Sequence, residues 1–108
     1  MSAIPSVSTE TFDAEVLGSE DTTLVEFWAE WCGPCRAVTP VLEQLAKEEH
    51  PGFRIVKINS DDNPEVAARY RVLSIPTMKV FKGGEVVKTL VGAKPSAAIK
   101  AELAPYLG

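Results

Sequence analysis

The arrangement that most constrains this chain is an apolar run at residues 22–29, an amphipathic stretch at 34–49 and a second apolar run at 53–59. The first run is too continuously apolar to keep a wet face, which is how a central strand covered on both sides reads. Glu26 is the one carboxylate inside it. Residues 34–49 place Val38, Val41, Leu42 and Leu45 on one helical face. Pro40 falls within that helix and predicts a bend around the sheet, and His50-Pro51-Gly52 stops it. The second run is built around Ile55, Val56 and Ile58, with Lys57 central. Strand, crossover helix and strand form a right-handed unit, so the two strands are expected to be parallel.

The remaining segments fit around that unit. Ser8 or Thr9 caps a short first helix with Phe12, Val16 and Leu17 as its buried stripe, ended by Gly18. Asp61-Asp62-Asn63-Pro64 supplies a cap and a first-turn proline for a helix carrying Val66, Ala67 and Tyr70. Residues 77–82 and 86–91 flank Gly83-Gly84 as a β-hairpin, and Gly92 breaks its second strand. Ile99, Leu103, Tyr106 and Leu107 share a helical face at the carboxyl end, where Pro105 limits the last turn. With 108 residues and 45% hydrophobic content, the expectation is a single α/β domain spanning 1–108. Such a chain buries roughly 65% of its extended surface and needs no structural metal or disulfide framework.

Charge and composition exclude several function classes. A net charge of −4 with no Lys/Arg cluster argues against nucleic acid as a partner. No run approaches the ~20 apolar residues of a membrane span, and the start of the chain lacks a basic region followed by an apolar stretch, so the expected location is cytoplasmic. In that reducing compartment, closely spaced cysteines point to catalysis or metal binding rather than to a static staple. The chain has two, in Trp31-Cys32-Gly33-Pro34-Cys35, where the first strand gives way to the helix. With Cys32 at the N-cap, its sulfur meets unsatisfied N–H groups and the positive end of the helix dipole, both of which favour thiolate. Pro34 has no N–H, so the Cys35 amide is the natural donor to that sulfur, and Gly33 permits the tight backbone. Cysteines three apart at a helix start lie about 5 to 6 Å apart, which suits a reversible disulfide. The competing readings are half a zinc site or a fixed structural disulfide; beyond the two cysteines only His50 is a typical zinc ligand.

Residues 27–35, Phe-Trp-Ala-Glu-Trp-Cys-Gly-Pro-Cys, together with Ile75-Pro76-Thr77 and Gly92, closely resemble the thioredoxin family, bacterial type, over essentially the whole chain. The resemblance implies a thioredoxin fold: a central mixed five-stranded sheet, parallel strands plus a C-terminal antiparallel hairpin, flanked by four helices. It implies that Cys32 is an exposed nucleophile attacking a substrate disulfide, and that Cys35, buried, resolves the mixed disulfide. The redox-active Cys32–Cys35 disulfide then serves without a bound cofactor or metal. Glu26 stands where the family typically has Asp and is the candidate proton acceptor for Cys35. Its apolar strand should raise its pKa, whereas Lys57, which matches a family lysine, would pair with it and pull the pKa down. The competing reading is a buried ion pair without a catalytic part. Gly33 and Pro34 resemble the reducing members, which implies that they, with Lys57, tune the redox pair. A cis Ile75–Pro76 bond facing the cysteines is implied, with Trp31, Gly92 and Ala93 completing a substrate groove. Trp28 reads as a core aromatic.

Two functions follow from this resemblance. One is a monomeric protein-disulfide reductase, reducing disulfide-containing protein substrates and recycled by thioredoxin reductase drawing on NADPH or ferredoxin. The other is a redox-gated binding module using the same groove.

Overall fold

A computed structural model describes residues 3–107; Met1, Ser2 and Gly108, which fall within the expected 1–108 domain, lie outside the described residues. Four strands, β1 (Thr22–Trp28), β2 (Phe53–Asn59), β3 (Thr77–Lys82) and β4 (Glu85–Val91), form one sheet in the order β2-β1-β3-β4. β1 and β2 are parallel, as the crossover pattern requires, with Glu26 opposite Lys57. β3 runs antiparallel to β1, and β3 and β4 form the antiparallel hairpin around Gly83 and Gly84, both at positive φ.

The sheet differs from the five-stranded expectation. Residues 5–7 reach β2 only through an isolated parallel bridge between Ser6 and Lys57, held by Val7 N–H to Lys57 O (2.8 Å) and Lys57 N–H to Pro5 O (2.9 Å). Pro5 has no N–H to extend the ladder on one side, and on the other the chain enters a helix at Thr9, so the contact stops at one residue.

Helices cover both faces. The first, α1 (Thr9–Phe12), continues as a π-helical turn over Asp13–Leu17, closed by Gly18 N–H to Asp13 O at 2.8 Å. Widening the turn leaves Phe12 and Val16 buried and Leu17 half-buried. α2 (Cys35–Lys47) runs on through Pro40, α3 (Pro64–Arg69) begins at the expected proline, and α4 (Ser96–Leu103) passes into a 3₁₀ turn, Ala104–Tyr106, at Pro105.

Strand alternation divides the core. Leu24, Ile55, Met78, Val80 and Leu90 pack with Val38, Leu42 and Leu45 of α2 and Ile99 and Leu103 of α4. On the opposite face Val25, Phe27, Val56, Ile58 and Phe81 meet Phe12, Val16 and Val66, with Phe12, Tyr70 and Phe81 in tilted and edge-on ring contacts at 5.1 to 5.6 Å. Glu26, two residues after Leu24, therefore points to the α2 side, where Thr39 of α2 bonds to it.

Candidate active site

The site begins where β1 ends. Cys32 N–H bonds to Ala29 O (3.1 Å), turning the chain back before α2. The helix then starts later than the sequence suggests: Pro34 is the N-cap and Cys35 the first helical residue. The reason is a tighter turn, with Arg36 N–H bonded to Gly33 O and Ala37 N–H to Pro34 O, each three residues back. The expected sulfur contact survives this shift. Cys35 N–H donates to Cys32 Sγ at 3.2 Å, and the two residues form a disulfide with Cα atoms 5.4 Å apart.

In this oxidised state Cys32 is 2% exposed and Cys35 3%. The expectation of an exposed Cys32 beside a buried Cys35 is therefore not met in the disulfide form. Ala29, Trp28 and Ile75 pack around both. What separates the sulfurs is polarity: Cys32 Sγ receives a main-chain N–H at the positive end of α2, which favours thiolate.

Glu26 is 1% exposed. Its Oε2 accepts from Thr39 Oγ1 at 3.2 Å, and its Oε1 is buried with no hydrogen-bond partner among the described residues. Burial pushes its pKa up from 4.5 to about 7; the hydrogen bond from Thr39 and the positive charge of Lys57 oppose the rise, and the Glu43 carboxylate adds to it. The direction left open between burial and Lys57 is thus decided by burial. Among the described residues Lys57 makes no ion pair with Glu26, and its Nζ lies 5.4 Å from the Trp28 ring centroid. A cation over an indole face retains favourable electrostatics without contacting the carboxylate. Trp28 is partly buried rather than fully in the core, and its Nε1 has no hydrogen-bond partner among the described residues. Glu26, Trp28, Cys32, Cys35, Thr39 and Lys57 line a common cavity of about 280 Å³.

On the other side of the cysteines, Ile75–Pro76 is cis, and Gly92 N–H donates to Pro76 O at 2.9 Å, bringing the end of β4 beside Pro76. Ala93 is exposed next to Gly92, as are Gly33 and Pro34 in the active-site turn. Trp31 is 70% exposed and held by Nε1–H donation to Asp61 Oδ2 at 2.7 Å. A 140 Å³ cleft joins Trp31 to Ile75, Asp61 and Leu73, the last 96% exposed.

Two of these residues escape the sequence reading. Thr39 was discoverable, since it follows Cys35 by four residues and so shares its helical face. Asp61 reads as helix-start chemistry; in the structure Asn63 is the N-cap of α3, and the Asp61 carboxylate anchors an indole 30 residues away. No sequence signal links such a pair.

The thioredoxin family model matches residues 3–105. The chain belongs to the thioredoxin family. A thioredoxin of Streptomyces clavuligerus is 58% identical over 97 residues, 89% of each chain. Thioredoxin 1 of a Nostoc strain is 46% identical over 107 residues, covering 99% of this chain and all of that one. A bifunctional thioredoxin reductase/thioredoxin of Mycobacterium leprae is 48% identical over 97 residues, which are 90% of this chain and 21% of that protein.

Membership and the Cys32–Cys35 disulfide together make the chain a protein thiol–disulfide oxidoreductase. The redox-active group is that disulfide; thioredoxins carry no cofactor. Among the described residues no group of three or more His, Cys, Asp and Glu side chains is placed to hold a metal ion. The family works with thioredoxin reductase and disulfide-containing proteins. No helix of the described residues is long and apolar enough to cross a membrane.

Proposed function

We propose that this chain, as one domain over 1–108, reduces protein disulfides with Cys32 as the attacking and Cys35 as the resolving sulfur, and Glu26 as the proton acceptor for Cys35. The supporting observation is the asymmetry of the pair. Cys32 Sγ accepts a main-chain N–H, while Cys35 shares a cavity with a buried carboxyl group, one oxygen of which has no partner among the described residues.

In the reduced protein, the Cys32 thiolate attacks one sulfur of the substrate disulfide, forming a mixed disulfide and releasing the other substrate sulfur as thiolate. Cys35 then loses its proton to Glu26 and attacks Cys32 Sγ. The Cys32–Cys35 bond forms, and the second substrate sulfur leaves as thiolate. Two electrons pass to the substrate, whose thiolates are protonated from solvent. Gly33 and Pro34 tune this exchange by setting the turn, and Lys57 does so by placing positive charge near Glu26. The substrate chain lies along Trp31, Ile75, Pro76, Gly92 and Ala93 and contacts mainly backbone and apolar surface, which suits loose specificity.

The protein acts as a monomer in the reducing cytoplasm, and an NADPH- or ferredoxin-linked thioredoxin reductase returns it to the dithiol. Trapping tests the sulfur roles. Cys35→Ser is expected to accumulate a mixed disulfide with a substrate through Cys32, and Cys32→Ser to accumulate none; the reverse pattern refutes the assignment.

A further inference from the structure

The Thr39 hydroxyl sits between two parts of the site. Its oxygen lies 3.2 Å from Glu26 Oε2 and 2.9 Å from the Cys35 carbonyl oxygen. A threonine in a helix ordinarily turns its hydroxyl onto the carbonyl four residues back. Here that position also brings it against a carboxyl group from a different element, β1.

One hydroxyl has one hydrogen and so donates to one acceptor at a time. When Glu26 is ionised, the charged oxygen is the stronger acceptor and draws the hydrogen from the Cys35 carbonyl. Donation to Oε2 fixes the carboxylate in one orientation and leaves Oε1, buried and without a partner among the described residues, as its open acceptor. Both Glu26 and Cys35 border the same cavity, which has ample room for a water.

We propose that Thr39 is a positioning residue for the resolving step: its hydroxyl holds Glu26 through Oε2 and leaves Oε1 to receive the proton of Cys35. This rests on the reading of Glu26 as acceptor for Cys35. The Cys35 S–H bond breaks, a water in the cavity takes that proton while giving one of its own to Oε1, and the sulfur keeps the electron pair with which it attacks Cys32. No oxidant or reductant beyond the substrate disulfide is involved.

Other groups around Glu26 set the background against which Thr39 acts. Lys57 of β2 faces it, Glu43 of α2 acts on it, and Cys32, Glu30 and Arg36 border the cavity, with Arg36 Nη2 donating to Glu30 O at 3.2 Å. From β3 its cross-strand partner is Met78, which carries no charge.

The test compares Thr39→Val, which keeps the shape and removes the hydroxyl, with Thr39→Ser, which restores it. Two quantities are read: the Glu26 carboxyl titration by carbon-13 NMR on the oxidised protein, and the pH midpoint of the resolving step with a disulfide-bonded peptide in single turnover. Thr39→Val is expected to move the carboxyl titration up by roughly one pH unit, the tenfold change associated with losing a hydrogen bond to a charged group. The kinetic midpoint should move with it, and Thr39→Ser should return both. An unmoved carboxyl titration in Thr39→Val overturns the proposal. So does a titration that moves while the kinetic midpoint stays, provided that Glu26→Gln does alter that midpoint. An unaltered midpoint in Glu26→Gln instead removes Glu26 from the mechanism and takes the role of Thr39 with it.

Discussion

Replacing Glu26 by Gln should change how the stability of this protein depends on pH. The native carboxyl titrates at about 7 against an ordinary value of 4.5, chiefly because it is buried. Between those values the native state binds more protons than the unfolded chain, so stability falls as pH rises. The burial advantage of the neutral acid is fully present below 4.5, is lost through this window, and is gone above about 7. At about 1.4 kcal/mol for each tenfold change in proton affinity, the loss is about 3 kcal/mol. Against a total of roughly 5 to 15 kcal/mol for an ordinary domain, that is a large fraction. Gln has nearly the same shape and does not ionise, so the variant lacks this dependence. The assay is urea unfolding of the oxidised protein at pH 5 and pH 8. The stability of Glu26→Gln relative to the parent should rise by about 2 to 3 kcal/mol between the two, a comparison in which the other titrating groups largely cancel. A relative stability that does not change with pH would show that Glu26 ionises at its ordinary value and refute the reasoning.

Two further outcomes test the scaffold and the cleft. Leu42 is fully buried between α2 and the sheet, and Leu42→Ala should lose about 2 to 5 kcal/mol in urea unfolding; a loss below 1 kcal/mol would mean that α2 is not clamped there. Asp61→Ala removes the acceptor of the Trp31 indole, so in a Trp28→Phe background the fluorescence anisotropy of Trp31 should fall, with stability changed by about 0.5 kcal/mol or less relative to that background. Unchanged anisotropy would assign the fixed indole to other contacts.

Much of this architecture is local and therefore legible in the chain. The continuous apolar run around Leu24 and Phe27 forms β1, the stripe of Val38, Leu42 and Leu45 forms α2, and Gly83-Gly84 turns the hairpin. Each follows from periodicity or from glycine's freedom at positive φ. The donation from Cys35 N–H to Cys32 Sγ is equally local, because three residues of backbone fix it. Corrections arise where neighbouring segments compete. The helix start moves to Cys35 because Gly33 and Pro34 close a tighter turn, and residues 5–7 contribute a bridge rather than a strand because Pro5 cannot extend the ladder on one side and the helix at Thr9 follows on the other.

The pattern of residue types by itself determined the strand-helix-strand unit, the place of the cysteines at its junction, and the presence of a carboxyl group in the central strand. Only the tertiary structure decided what that carboxyl group does with its surroundings. Desolvation depends on everything packed over Glu26, and Coulomb attraction depends on where the Lys57 ammonium comes to rest, here beside an indole rather than on the carboxylate. The hydrogen bond from Thr39 joins α2 to β1, and that from Trp31 to Asp61 joins residues 30 apart. Such distances are set by the packed core as a whole, whereas periodicity is set by the backbone one turn at a time.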